Sequence, residues 1–266
     1  MRRLTQMFMR VWRAPVRAVQ LCFATTQGGR TLVRIAVGRI VPQLGIDVEI
    51  KTRSGPRVMA PASQWCWFPI VEVLIDDCYH LAELAADLQM DTPIVVDIGA
   101  HVGAFSVGCA LSVPTAKVIA YEPSVQRCEY LRRNVEVNGL AGRVSVVRAA
   151  VTGSSGMAEL TSTGVVQAVS AGDSGERVAT VSLDEIIQQV GNRVDLLKMD
   201  SEGSEYDIVF SAAPASLAAV QAVVLETHPA PADARVRLFE TLRQSGPSER
   251  WRQGDSSVTV SYLTRS

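Results

Sequence analysis

Between Pro93 and Thr227 the chain alternates short apolar runs with stretches of helical period. The runs are "IVVDI" (94–98), "KVIAYE" (117–122), "RVSVVRA" (143–149), "VDLLKMD" (194–200) and "AVVLET" (222–227). Each has strand length and is apolar nearly throughout rather than at every second position. That pattern belongs to strands buried on both faces of a parallel sheet. Helices are predicted between them. Ser124 can cap one presenting Cys128, Leu131 and Val135, and Ser182 with Glu185 makes a capping box for "LDEIIQQV". Pro231 can open another that carries Leu238, Phe239 and Leu242 and stops at Gly246. The terminal "SSVTVSYLT" alternates and reads as a last, antiparallel strand. The expected fold is therefore α/β, a doubly wound and mostly parallel sheet, which binds ligands beyond the carboxyl ends of its strands.

Upstream, "VEIKTRSGPRVMA" reads as a hairpin around Ser54-Gly55-Pro56, and Leu81, Leu84, Ala85 and Leu88 predict a helix over Asp76–Leu88. In "LTQMFMRVW", Leu4, Met7, Phe8 and Val11 share one helical face until Pro15 interrupts. This stripe is read first as a helix packed on the main domain. The alternatives are an organelle-targeting peptide or an anchor on anionic lipid, that is, peripheral membrane contact through residues 1–22.

Charge sharpens the division. Residues 1–46 hold eight arginines and no lysine or acid, leaving 18 of the 26 basic residues against all 27 acidic ones from Asp47 onward. An acidic main part argues against a nucleic-acid partner, which needs clustered positive charge. Five scattered cysteines without a C-x-x-C pair suit reduced thiols in the cytoplasm. No window approaches about eighteen uninterrupted apolar residues, so a membrane span is not expected.

The chemistry concentrates where the first core strand turns into its helix, at "VVDIGAHVGAFSVG". Gly99 and Gly103 there permit positive φ and close approach of the backbone to a ligand. A dinucleotide would call for G-x-G-x-x-G, but the middle glycine is missing and Asp97 would repel a pyrophosphate. S-adenosylmethionine, with an ammonium, a sulfonium and no phosphate, fits better. Asp97 and the following loop would receive its methionine end. Glu122, twenty-five residues on, would accept its ribose hydroxyls, although NAD sites use an acid in the same place.

The blocks "VVDIGAHVGAFSV", "VIAYEPSVQRCEYLRRNVEVNGL", "RAAVTG", "VSLDEII", "LLKMDSEGSEYDIV" and "VVLETHP" resemble the FkbM-type family of S-adenosylmethionine-dependent methyltransferases, over roughly Val71 to Pro229. The resemblance implies a Rossmann-like sheet of seven strands and methyl transfer, usually to hydroxyls of sugars or secondary metabolites. It implies a cofactor site of Asp97, Gly99, Ala100, His101, Gly103, Glu122, Pro123, Ala150 and Asp200. His101 stands where the family often has a small polar residue, and the tail after Glu249 is short for an acceptor lid. On this reading residues 1–46 are a basic helical extension. Residues 47–266 are the methyltransferase domain, with a lead-in over 47–92 and a catalytic core over 93–266.

An acceptor hydroxyl must lose its proton, so a base is expected near it. "KMDSEGSEY" supplies Lys198, Asp200, Glu202 and Glu205 at the end of the fourth core strand, and "ETHP" brings His228 to the end of the fifth. Asp200 is assigned the central place, beside sulfonium and acceptor, with Glu202 and His228 as proton acceptors or acceptor-binding groups. Glu205 is kept as a substrate candidate, although a solvated helix face is the simpler reading. Lys198 is expected to pair with a neighbouring acid. A divalent ion on Asp200, Glu202 and His228 is chemically feasible, but nothing in the spacing demands one, and no metal is expected. Trp65 and Trp67 are read as core, whereas Tyr79 resembles the family's pre-core tyrosine and is expected to line the cleft. The acceptor is expected to be a small molecule or glycan. An NAD-dependent oxidoreductase or epimerase, and a non-catalytic S-adenosylmethionine-binding protein, are the competing functions.

Overall fold

The computed structural model describes residues 19–53, 55–63, 66–161, 166–168, 176–254 and 259–265. The stripe from Leu4 to Val11 and the residue Trp65 lie outside them. The first complete helix, α1 (Gly28–Ile40), leads through a 3-10 turn to the hairpin strands β1 (Asp47–Lys51) and β2 (Arg57–Pro61). Helices α2 (Trp67–Leu74) and α3 (Leu81–Asp87) precede β3 (Ile94–Ile98), α4 (Ala104–Ser112), β4 (Lys117–Tyr121), α5 (Val125–Val137) and β5 (Val144–Val147). Short strands follow: β6 (Ala150–Val151), β7 (Gly156–Leu160), β8 (Val166–Ala168) and β9 (Glu176–Val181). The chain then runs through α6 (Leu183–Gln189), β10 (Leu196–Met199), α7 (Glu205–Ser211), α8 (Pro214–Ala218), β11 (Ala222–Thr227), α9 (Ala232–Gln244), β12 (Ser248–Gly254) and β13 (Thr259–Thr264).

The central sheet has seven strands in the order β12-β13-β11-β10-β3-β4-β5. Its pairings are parallel from β11 to β5, and β13 runs antiparallel to both β11 and β12. Both faces are buried, as the continuous apolar runs require. Val95, Val118, Leu196 and Val224 face Phe105 of α4 and Leu131 and Val135 of α5. Val96, Ile98, Leu197, Met199, Val223 and Leu225 face Ile186 of α6, Ile208 of α7 and Leu238 and Phe239 of α9. Burying one such leucine or valine contributes roughly 1.5–3 kcal/mol of transfer free energy.

Three expectations are corrected. The helix over Asp76–Leu88 begins only at Leu81, because Asp77 and His80 take left-handed φ of 52° and 51°. Asp77 Oδ1 there accepts from Leu81 N at 2.7 Å, which starts α3 afresh. The run 143–149 ends as a core strand at Val147, and Ala150 instead joins a separate four-stranded sheet in the order β6-β9-β7-β8. An additional edge strand, β12, precedes the last one. Its sequence "SERWRQG" carries too few apolar residues to announce it.

The hairpin register, Val48↔Ala60 and Ile50↔Val58, puts four buried side chains on one face. Two asparagines of α5 hold β2 by its backbone. Asn134 Nδ2 donates to Met59 O at 2.9 Å while Oδ1 accepts from Met59 N at 2.7 Å, and Asn138 Oδ1 accepts from Arg57 N at 3.0 Å. Trp67 and Phe68 pack edge to face at 5.4 Å in the core beside this hairpin. Among the described residues no helix is long and apolar enough to cross a membrane, and none of the five cysteines is in a disulfide.

Candidate functional site

The site lies where β3, β4, β10 and β11 run out. Lys198 and Asp97 are cross-strand partners in the β10–β3 register, so their side chains share a face. Both are buried, and Lys198 Nζ lies 3.0 Å from Asp97 Oδ1. Asp97 Oδ2 accepts from the Ser106 hydroxyl. Lys198 also donates to Gly99 O at 2.9 Å and approaches Asp200 Oδ2 to 3.8 Å. Burial alone would lower the pKa of this ammonium; Asp97 and Asp200 outweigh that and raise it. The expected lysine–acid pair is thus present, and it sits directly beneath the loop that follows β3.

That loop needs its glycines, for a reason the sequence concealed. Gly99 has φ 75°, and a Cβ there would lie 1.8 Å from the carbonyl oxygen of Asp200. At Gly103, φ is 89° and a Cβ would meet Leu131 Cδ1 at 2.2 Å. The close approaches are between parts of the chain itself. Gly99 N and Ala100 N donate to Tyr121 O at 3.0 and 2.9 Å, tying the loop to β4. His101, also left-handed at φ 54°, donates its N–H to Glu122 Oε2 at 2.9 Å. Glu122 Oε1 accepts from Ser124 N at 3.0 Å, and Arg127 lies 3.9 Å away. Burial raises the Glu122 pKa; Arg127 and the two N–H donors counter it only in part. Pro123 follows Glu122 directly and leads to the Ser124 cap of α5. Ala150 does not join this group: its methyl is buried with Ala158, Leu160 and Val178 in the small sheet.

Acidic groups crowd the other half of the site. Asp200 follows β10, and its Oδ1 lies 3.9 Å from His228 Nε2. Glu202, more than half exposed and left-handed at φ 54°, comes within 3.6 Å of the same nitrogen. Glu205 corrects its sequence reading. It is fully buried rather than solvated, and both oxygens are engaged within the protein, which leaves it without a substrate-facing edge. Oε1 accepts from His228 N at 2.7 Å and lies 3.1 Å from His228 Nδ1, while Oε2 accepts from Gly203 N at 2.9 Å. Burial would raise the Glu205 pKa, but the bonds from His228 lower it. Burial would conversely lower that of His228; Glu205, Asp200 and Glu226 reverse this and push it up to about 10. His228 is therefore an imidazolium at neutral pH.

Glu226 was missed. It stands two residues before His228 at the end of β11, and strand alternation puts positions 226 and 228 on one face. Only this period-two relation in "ETH" could have revealed it. Its Oε1 lies 4.0 Å from His228 Nε2, and burial followed by the neighbouring Asp200 raises its pKa to about 8. Tyr79 lies within reach of both acids, its hydroxyl 3.3 Å from Asp200 Oδ2 and 3.4 Å from Glu226 Oε2. Its ring packs edge to face on Phe105 at 5.4 Å, and burial and the two acids hold its pKa well above the usual phenol value. Asp200, Glu226 and His228 together offer two oxygens and a nitrogen within 4.8 Å of one another, a grouping that would hold a divalent ion only with His228 deprotonated; Glu226 here replaces the Glu202 of the sequence-based set.

A mostly parallel seven-stranded sheet, with a glycine turn after β3 and its polar groups at the strand ends, is the architecture of class I methyltransferases. The provisionally described transferase PH0793 of Pyrococcus horikoshii shares this fold, with a TM-score of 0.50 at 16% identity over 82% of this chain and 70% of that one. The Methyltransferase FkbM domain matches residues 97–247, and the chain belongs to that family. Methyltransferase sdnD of Sordaria araneosa is 32% identical over 90 residues, 34% of this chain and 33% of that one. The AMB antimetabolite synthetase AmbE of Pseudomonas aeruginosa is 27% identical over 222 residues, 68% of this chain and 10% of the synthetase. The chain thus spans a third or less of either relative's length.

Proposed function

We propose that this methyltransferase uses S-adenosylmethionine to methylate a hydroxyl oxygen of a small-molecule or glycan acceptor, working in the cytoplasm, where its cysteine thiols stay reduced. The reading is supported by five carboxyl groups, of Asp97, Asp200, Glu202, Glu205 and Glu226, gathered around only two cationic side chains, Lys198 and His228. This excess of carboxyl groups in and beneath the site favours a ligand that brings positive charge and disfavours a pyrophosphate. Glu122, with lone pairs to spare on both oxygens, is the residue for the ribose hydroxyls. The loop from Gly99 to Gly103 and Pro123 bound the remaining surface on the cofactor side. When bound, the cofactor supplies an electrophilic methyl on sulfonium.

The chain's own residues must orient the acceptor and take its proton. His228 has its Nδ1 side occupied by Glu205, which fixes the ring and turns Nε2 toward Asp200, Glu202 and Glu226. As an imidazolium it donates a hydrogen bond and does not accept the proton, so of its two expected roles it takes acceptor binding. The proton goes to the acidic pair Asp200 and Glu226. A Glu226 pKa of about 8 is well matched to a base working near neutral pH.

The convergence of Asp200, Glu226 and His228 beside the Gly99 turn carries this reading. Calorimetry is expected to detect S-adenosylmethionine binding, weakened roughly tenfold or more in Glu122→Ala, which loses a charge-assisted pair of hydrogen bonds. Asp200→Asn should keep the fold and lose turnover of hydroxylated acceptors to their O-methyl ethers. Tight NADH binding without a response to S-adenosylmethionine would replace the reading with an oxidoreductase.

A further inference from the structure

Helix α1 is apolar on two opposite sides. One side is buried through Gly28, Thr31, Ile35 and Gly38. It is fixed closely: Thr31 Oγ1 donates to Glu49 O at 3.0 Å, and a Cβ on Gly38 would meet Ala62 Cβ at 2.5 Å. The helix therefore cannot roll to hide its other side. On that outer side, Val33, Val37 and Ile40 follow one another at i, i+4 and i+7, and Leu44 continues in the next turn. They are 63%, 37%, 79% and 61% exposed. A solvent-facing helix of a globular domain normally carries polar residues there.

The polar residues that do flank this ridge are cationic. Arg30 and Arg34 are exposed on the same helix, and Arg34 is braced along its side by donation from Nε to Asp47 O at 2.7 Å. No acidic residue occurs anywhere in residues 1–46. An apolar ridge beside arginines, on a helix held rigidly by its other face, complements one kind of surface: apolar a few ångströms down and negative at its rim. We propose that the outer face of α1 docks on the surface of an anionic lipid bilayer, with Val33, Val37, Ile40 and Leu44 entering the acyl boundary and Arg30 and Arg34 meeting lipid phosphates. The methyltransferase domain is then held at a membrane surface by the outer face of α1. This inference is independent of the acceptor chemistry above.

The test is co-sedimentation of the full chain with vesicles of phosphatidylcholine alone or with phosphatidylglycerol added. Binding is expected to be at least about tenfold stronger on the anionic vesicles and to weaken as salt is raised. Val33→Ser/Val37→Ser/Ile40→Ser should weaken it roughly tenfold or more, since three exposed apolar groups no longer enter the bilayer. Arg30→Gln/Arg34→Gln should lose only the preference for the anionic vesicles. Circular dichroism of both variants should match the parent, because every changed side chain is exposed. A Val33→Trp variant should shift its fluorescence to the blue on vesicles and not in buffer. No sedimentation at low salt, or binding unchanged in the triple serine variant, overturns the proposal. So does a parent dimer that the triple variant converts to monomer, since a second copy would then be covering the ridge.

Discussion

His228 shows how one residue's chemistry is set by its neighbours. A histidine with four carboxyl groups within 4 Å of its ring nitrogens keeps its proton well past neutrality. Glu205→Gln keeps a hydrogen-bonding side chain but removes the buried charge. The His228 titration, followed by NMR, should move down from about 10, and turnover should fall roughly ten- to a hundredfold with little change in cofactor affinity. A change confined to melting temperature would reduce Glu205 to a packing residue. The pH–rate profile should rise through about 8 as Glu226 loses its proton and fall near 10 as His228 loses its own. Glu226→Gln should abolish the rise and most of the rate. Asp97, Glu122, Asp200 and His228 were legible because each ends a recognisable strand. Glu226 and the buried Glu205 were not, because a glutamate's environment depends on what packs over it.

At the scale of elements, the glycine turn is the most constrained piece of chain. Gly99→Ala would put a methyl against the Asp200 carbonyl at 1.8 Å and hold alanine at φ 75°. The left-handed conformation alone costs roughly 1–2 kcal/mol, and the displaced carbonyl adds to it. A loss of at least about 2 kcal/mol in urea unfolding is expected, together with weakened cofactor binding as the loop moves off Asp200. Unchanged stability would mean that the β3 and β10 ends separate readily. The core strands were legible as continuous apolar runs, since both sheet faces are covered. The small sheet was not, because β6 to β9 are short, contain Gly156 and several polar residues, and form a cluster of their own from only small or single side chains, Ala150, Ala158, Leu160 and Val178. The helix expected over Asp76–Leu88 was half wrong because periodicity does not register the left-handed turn at Asp77 and His80.

For the whole molecule, the same charge cluster links pH to stability. The folded His228 pKa, about 10, stands above its ordinary value of 6.5, so its contribution is complete below 6.5 and is lost as pH rises toward 10. Glu226 is raised from 4.5 to about 8, so its contribution is likewise lost as pH rises over that range. Melting temperature should therefore fall from pH 6.5 to 9.5, and His228→Asn should flatten that slope. A melting temperature that rises with pH would contradict the cluster as described. By itself the sequence determined the doubly wound sheet, its strand-end acids and the glycine turn, because those follow from local periodicity and backbone sterics. Only the tertiary structure decided which carboxyl groups gather around His228, that His228 is a cation, and that α1 keeps an apolar face in solvent. Charge state and exposure arise from groups distant in the chain, and no local pattern contains their distances.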